Sequence, residues 1–263
     1  MDESQFQRIR MMLGDYAMNR LYRSKVLIAG LGAVGGYAAE ILARSGVGEF
    51  ILIDFDTFKP SNINRQILAL WSTVDRKKTE VARERILAIN PSAQVQTFDL
   101  LLNEETIYPL LSGQKADLLI DAIDSLGPKT DLLRCAVDLK IPRISSMGAA
   151  LRTDPDQIRF GKLTEVTHCP LAAMLRKRLR RKGTSTDEIP CVYSTEEVRS
   201  ILRDPEIKNN LSDSGSRILP PDCSDEEPRS HGRKRSVLGS LPALTGMFGL
   251  RIAHEALRFL SAE

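Results

Sequence analysis

Over the first 150 residues of this chain, short apolar runs alternate with stretches whose apolar positions recur at helical spacing. Lys25–Ala29 (KVLIA) and Phe50–Asp54 (FILID) are almost continuously apolar, as strands buried on both faces require. Between them, GLGAVGG leads into AAEILARSG, a helical pattern that stops at Gly46. Thr79–Ile89 is predicted to be helical and to end before the Asn90–Pro91 turn. Val95–Phe98, Leu118–Asp121 and Ile141–Ser145 read as three further strands, with Lys129–Leu139 as a helix between the last two. This alternation predicts an α/β fold: a doubly wound, mostly parallel sheet whose ligands sit beyond the carboxyl ends of the strands.

Past residue 150 the pattern loosens. Gln157–Leu163 is predicted to add a strand, and Pro170–Lys182 a helix with proline near its first turn. Lys182–Asp187 is a polar connection, and Pro205–Arg235, with four prolines and few large apolar groups, is expected to be a long mobile loop. Val237–Leu260 recovers a helical pattern, interrupted by Pro242, that is expected to pack back on the sheet. The organisation expected is therefore a nucleotide-binding domain over 1–150 and an integrated extension over 151–263.

Gly30, Gly32 and Gly35 sit in a strand–turn–helix setting, where glycines permit a tight turn and the helix N-terminus offers N–H groups to phosphates. Asp54, at the end of the second strand, can accept from ribose hydroxyls, which suits NAD or ATP equally. The residues beyond Asp54 favour ATP. Asn62, Asn64, Arg65 and Gln66 crowd the SNINRQ segment, Lys78 opens the next helix, and Asp124 comes after the fourth strand, all on one edge of the sheet. A triphosphate needs cations such as Arg65 and Lys78, and a carboxylate such as Asp124 suits Mg²⁺. Arg65 and Lys78 are both placed on polar loops.

Charge and cysteine content narrow the classes. The balance of 37 basic against 34 acidic residues gives +3, which by itself implies no nucleic-acid partner. Clustering changes that picture. Arg176, Lys177, Arg178, Arg180, Arg181 and Lys182 form a basic run with no acid among them, and residues 151–182 hold nine basic and three acidic side chains. This is either the footprint of phosphate-backbone binding or a solvated helix face. A smaller basic group lies at Arg233, Lys234 and Arg235. Cys135, Cys169, Cys191 and Cys223 lie far apart with no CxxC pair, which suggests reduced thiols and a cytoplasmic protein. The N-terminus lacks the apolar core of a signal peptide, and no stretch reaches the roughly 18 apolar residues of a membrane span.

GLGAVGG, LIDFD, SNINRQ, the segment containing Lys78 and DAIDS together resemble the ubiquitin-activating-enzyme-like (ThiF/MoeB) adenylation superfamily. The resemblance implies a Rossmann-like adenylation fold in which a carboxylate attacks the α-phosphate of ATP and pyrophosphate leaves. It implies that Asp54 holds the ribose, that Asn62, Arg65 and Lys78 contact the phosphates and that Asp124 holds Mg²⁺. It also implies that an N-terminal arginine, matched by Arg8 with Arg10 as a nearby competitor, is supplied across a homodimer interface. Molybdopterin and thiamine sulfur-carrier activators usually carry two CxxC pairs, absent here.

LTEVTHCPLAAMLRKRLRR, IPCVYSTEE and the closing GSLPALTGMFGLRIAHEAL are similar to the tRNA threonylcarbamoyladenosine dehydratase branch. That branch activates the carboxylate of threonylcarbamoyladenosine in tRNA with ATP, and the ring then closes. The resemblance gives the basic run a tRNA role. It leaves open a thiol-captured intermediate at Cys169, Cys191 or Cys223, a monovalent cation, and a sulfur-transfer or ubiquitin-like protein partner. The alternatives are an activator of a ubiquitin-like or sulfur-carrier C-terminus, a nicotinamide dehydrogenase, and a nucleotide-binding scaffold without turnover.

Overall fold

In the computed structural model, residues 4–197 and 238–262 are described. The sheet has seven strands: β1 (Lys25–Ala29), β2 (Glu49–Ile53), β3 (Gln94–Phe98), β4 (Leu118–Asp121), β5 (Arg143–Ser146), β6 (Ile158–Lys162) and β7 (Pro190–Ser194). Their spatial order is β3-β2-β1-β4-β5-β7-β6. Neighbours are parallel throughout, apart from the antiparallel edge pair β6–β7. Among the described residues the α-helices are α1 (Gln7–Arg23), α2 (Gly35–Arg44), α3 (Lys78–Ile89), α4 (Glu104–Gln114), α5 (Leu126–Asp138), α6 (Pro170–Arg181) and α7 (Pro242–Ser261).

Alternation along the central strands sorts the helices into two layers. Val26, Ile28, Phe50, Leu52, Leu118 and Ile120 point to the face covered by α1, α2, α3 and α7. Leu27, Ala29, Ile51, Ile53 and Leu119 point to the other, under α4 and α5. Because both faces are covered, these strands are apolar apart from Lys25, Glu49 and Asp121 at their ends, and that is why they were readable. A third cluster joins α5 and α6 to β7 through Leu133, Leu175, Leu179, Cys191 and Tyr193.

Pro242 does not interrupt the closing helix as the sequence suggested; it stands at the first helical position, where its missing N–H costs nothing. Three elements went unanticipated. Helix α1 is kinked at Gly14 (φ 82°, ψ 167°) and turns Met11, Met12 and Tyr16 outward, so it lacks a clean apolar stripe. Helix α4 is disguised by Pro109 within it, although Asn103 caps it by accepting from the N–H groups of Glu105 and Thr106 at 3.0 Å. Strand β7 is buried yet reads as an ordinary loop of mixed residues. The expected loop 205–235, Cys223 and the Arg233–Arg235 group lie outside the described residues. Among the described residues, no helix is long and apolar enough to cross a membrane.

Candidate adenylation site

Strands β1, β2 and β4 end side by side, and the polar segments after them meet at one edge of the sheet. Gly30 leaves β1 with φ +90°, and its N–H donates to the Ile53 carbonyl at 2.8 Å. A Cβ on Gly35 would lie 1.8 Å from the Gly30 carbonyl oxygen, so only glycine lets α2 start this close to the strand. The Asp54 carboxylate then braces the loop: Oδ2 accepts from the Leu31 N–H at 2.7 Å and Oδ1 from the Asp56 N–H at 2.9 Å. Burial raises the Asp54 pKa above the ordinary carboxylate value, against the pull of Lys78 and the two N–H donors. Each carboxylate oxygen keeps a second lone pair for an incoming hydroxyl.

Lys78 is buried, not on a polar loop as the sequence suggested, because it is the first residue of α3 and its neighbours close over it. Its Nζ lies 3.0 Å from Asp56 Oδ2, and its N–H donates to the Asp56 carbonyl. Asp56 escaped the sequence reading, although its position two residues after Asp54 was a usable signal. Gln66 is also buried. Its amide packs against Gly32, and its Oε1 has no hydrogen-bond partner. An orphaned buried acceptor beside a glycine loop is what a bound ligand with a donor would complete.

Arg65 is not aimed at Lys78. Its Nη1 donates to the Ser61 carbonyl at 2.8 Å and to Asn64 Oδ1 at 2.9 Å. Asn62 is occupied locally too, accepting from the Lys59 N–H at 3.1 Å. Asp124 is exposed at the carboxyl end of β4, with Ser125 Oγ 3.3 Å from its Oδ1. Among the described residues no group of three His, Cys, Asp or Glu side chains is arranged for a metal. One exposed carboxylate at this edge still fits Mg²⁺, which takes most of its ligands from water and substrate phosphates.

Beneath Asp124 lies a pair the sequence reading missed. Asp121 and Lys129 are both fully buried, 2.8 Å apart. Asp121 Oδ2 also accepts from Ser145 Oγ at 2.6 Å, and Oδ1 accepts from the Ile123 N–H at 3.1 Å. Lys129 Nζ donates to the Ile123 carbonyl at 3.0 Å. Ile123 is thus held at both its N–H and its carbonyl, and the turn carrying Asp124 is fixed from below. A carboxylate ending the apolar run LLID was the available clue.

The basic run divides once folded. Arg176 Nη1 donates to the Leu163 and Val166 carbonyls at 2.9 Å, tying α6 to the segment before it. Lys182 Nζ lies 2.8 Å from Asp131 Oδ1 and 3.6 Å from Glu104 Oε2. The Asp131 hydrogen bond raises its pKa. Lys177, Arg178, Arg180 and Arg181 are exposed. Cys135, Cys169 and Cys191 are buried free thiols, and burial pushes Cys191 up to about 12. Arg8 is exposed on the first turn of α1, and no hydrogen bond ties it to this cleft among the described residues.

The ThiF family model matches residues 5–263. This chain belongs to the ThiF family. Among its ThiF relatives is the tRNA threonylcarbamoyladenosine dehydratase of Bacillus subtilis (strain 168), 37% identical over 211 residues covering 78% of this chain and 82% of that one. Crystal structures of the E. coli tRNA N6-threonylcarbamoyladenosine dehydratase TcdA superpose on it with a TM-score of 0.80 at 31% identity. The match to the AMP complex covers 98% of this chain and 94% of that one. The match to the ATP complex covers 98% and 93%. The sheet order of this ThiF chain, with its glycine loop and Asp54 at the strand ends, is the expected doubly wound adenylation fold.

Proposed function

We propose that this chain is an ATP-dependent tRNA threonylcarbamoyladenosine dehydratase working in the cytoplasm. One observation carries the reading: a nearly full-length structural match to an enzyme crystallised with both ATP and AMP. AMP is the residue of a reaction at the α-phosphorus, not of γ-phosphate hydrolysis. The ATP phosphates lie along Gly30, Gly32 and Gly35, with Lys78 as the buried cation and Asp54 accepting from the ribose. Arg65 unfolds from Ser61 and, with Asn62, meets the phosphates when ATP arrives. Asp124 holds Mg²⁺, which neutralises phosphate charge.

The nucleoside carboxylate attacks the α-phosphorus, the α–β bridging bond breaks, and pyrophosphate leaves with that bond's electron pair. A neighbouring substrate nitrogen then attacks the activated carbonyl, loses its proton and expels AMP, closing the ring. The protein's contribution is positioning and charge stabilisation of the crowded phosphorus. Buried Cys169 and Cys191 take no covalent part in this scheme.

The cleft is completed by a second copy. Helix α1 exposes Met11 (80%), Met12 (83%) and Tyr16 (59%), while the segment after β2 exposes Phe55 (52%) and Trp71 (78%). Exposed apolar side chains on these two segments suit a two-fold contact in which each segment meets the other. That contact carries Arg8 to the partner's cleft.

Mass spectrometry of tRNA nucleosides, after incubation with and without ATP, tests the reaction. The cyclic nucleoside is expected only with ATP, accompanied by AMP and pyrophosphate. Pyrophosphate exchange stimulated by a ubiquitin-like or sulfur-carrier protein and not by tRNA would overturn the reading.

A further inference from the structure

The basic run on α6 does not meet the cleft evenly. Arg176 and Lys182 are consumed by internal bonds, and Arg181 is engaged as well. Lys177, Arg178 and Arg180 remain exposed with no carboxylate partner among the described residues. These three point in different directions, because successive helical residues turn by about 100°. Ala172, Leu175 and Leu179 face the core. Lys182 reaches Asp131 on α5, and one turn earlier Arg178 reaches the first turn of the same helix. Its Nη1 lies 4.0 Å from where a Cβ on Gly127 would be. Four residues separate each pair on both helices, so α6 and α5 run alongside with the same polarity here.

That first turn begins at Leu126, immediately after Asp124 and Ser125. Arg178 therefore stands at the rim of the adenylation edge, whereas Lys177 and Arg180 fall on other sides of α6. A side chain at 127 would stand within van der Waals reach of the guanidinium without displacing it. We propose that Arg178 grips the RNA phosphate next to the modified nucleoside, setting the distance between the bound tRNA and the phosphorus its carboxylate attacks. The inference rests on the assignment of tRNA as substrate. Arg is the fitting side chain because its planar fork can hold a phosphate with two parallel bonds, fixing orientation as well as proximity. Lys177 and Arg180 contribute attraction without orientation.

The test is steady-state kinetics of ATP-dependent cyclisation with modified tRNA as the varied substrate. Arg178→Ala is expected to lower kcat at saturating tRNA by about 10- to 100-fold, the penalty of a substrate held slightly out of place. Lys177→Ala and Arg180→Ala are expected to raise KM and reduce the salt slope of binding by about one each, with kcat retained. Arg178→Lys restores binding more than turnover. Gly127→Glu, a favourable residue in a helix's first turn, captures the guanidinium and reproduces the Arg178→Ala defect without altering Arg178. Because Arg178 is exposed, its variants are expected to melt within about 2 °C of the unaltered chain. An active wild-type chain whose Arg178→Ala variant shows only the KM effect of its neighbours overturns this inference alone. A wild-type chain that forms no cyclic nucleoside overturns the tRNA assignment and this inference with it.

Discussion

Lys78 and Arg65 carry the same sign of charge, but the fold treats them differently, and their substitutions should separate accordingly. Lys78 is nearly enclosed and paired with half-exposed Asp56, so Lys78→Met removes a fixed charge from beside the proposed phosphate site. AMP formation is expected to fall about 100-fold or more, with about 1 kcal/mol of stability lost as Asp56 resolvates. Arg65→Ala breaks only local bonds to Ser61 and Asn64, so activity is expected to fall while the melting midpoint holds. Equal activity in both variants and the unaltered chain would remove these residues from the site.

Cys191 provides a pH test. Its thiol stays protonated in the fold up to about 12, against 9.0 for the ordinary group. Between those values the unfolded chain has lost a proton that the folded chain keeps. Stability is therefore full below pH 9 and falls by about 1.4 kcal/mol per pH unit above it. Urea unfolding from about pH 8 to about pH 10.5 should show a shallower decline in Cys191→Ala than in the unaltered chain. Parallel curves would contradict the buried, inert thiol.

Among single residues, the glycine loop and Asp54 were legible because they follow strand ends, where the fold class already says to look; Lys78 stood out by its charge at the head of α3, but its burial did not. Asp56, Asp121 and Lys129 were not, since what marks them is a partner brought near only by folding, such as Ser145 beside Asp121.

At the level of elements, the most demanding joint is the one between β1 and α2. Gly35→Ala thrusts a methyl into the Gly30 carbonyl, and the helix must move away from the strand. A loss of about 3 kcal/mol or more is expected in urea unfolding, with ATP no longer raising the melting temperature. A variant of unchanged midpoint would mean a looser turn with room for the methyl. The same joint shows why β1 and β4 could be read with accurate limits and β2 to within one residue: strands covered on both sides are apolar at nearly every step. Helices α1 and α4 hid for opposite reasons. The first faces its apolar groups away from its own core at the Gly14 kink, and the second carries Pro109 in its middle. Strand β7 owes its strand character to its place between β5 and β6, which nothing local announces.

For the whole molecule, the expected homodimer makes two patches interdependent. Met12→Glu or Trp71→Glu should shift the mass measured by light scattering from two chains to one and abolish cyclisation. Arg8→Ala should leave the dimer intact yet inactive. Mixing Arg8→Ala with Lys78→Met chains should then recover part of the activity, because one cleft of each mixed pair draws an intact Arg8 and an intact Lys78. If mixing recovers nothing although mixed pairs form, Arg8 serves its own cleft or none. Two-fold assembly could be expected from the family resemblance, but the exposure of Phe55 and Trp71 could not, since isolated aromatic residues in a sequence look the same inside and outside a protein.

Helix α7, twenty residues near the end of the chain, fills the middle of one face of the sheet through Phe248, Ile252, Ala256 and Leu260, between α1 and α2. A ribosome makes this helix after every described strand of the sheet. Until it emerges, strands already translated display an uncovered greasy surface, so the nascent polypeptide leaves the tunnel without its keystone. Messages broken before the α7 codons would thus yield sticky products for proteases to clear, never a shortened but working enzyme.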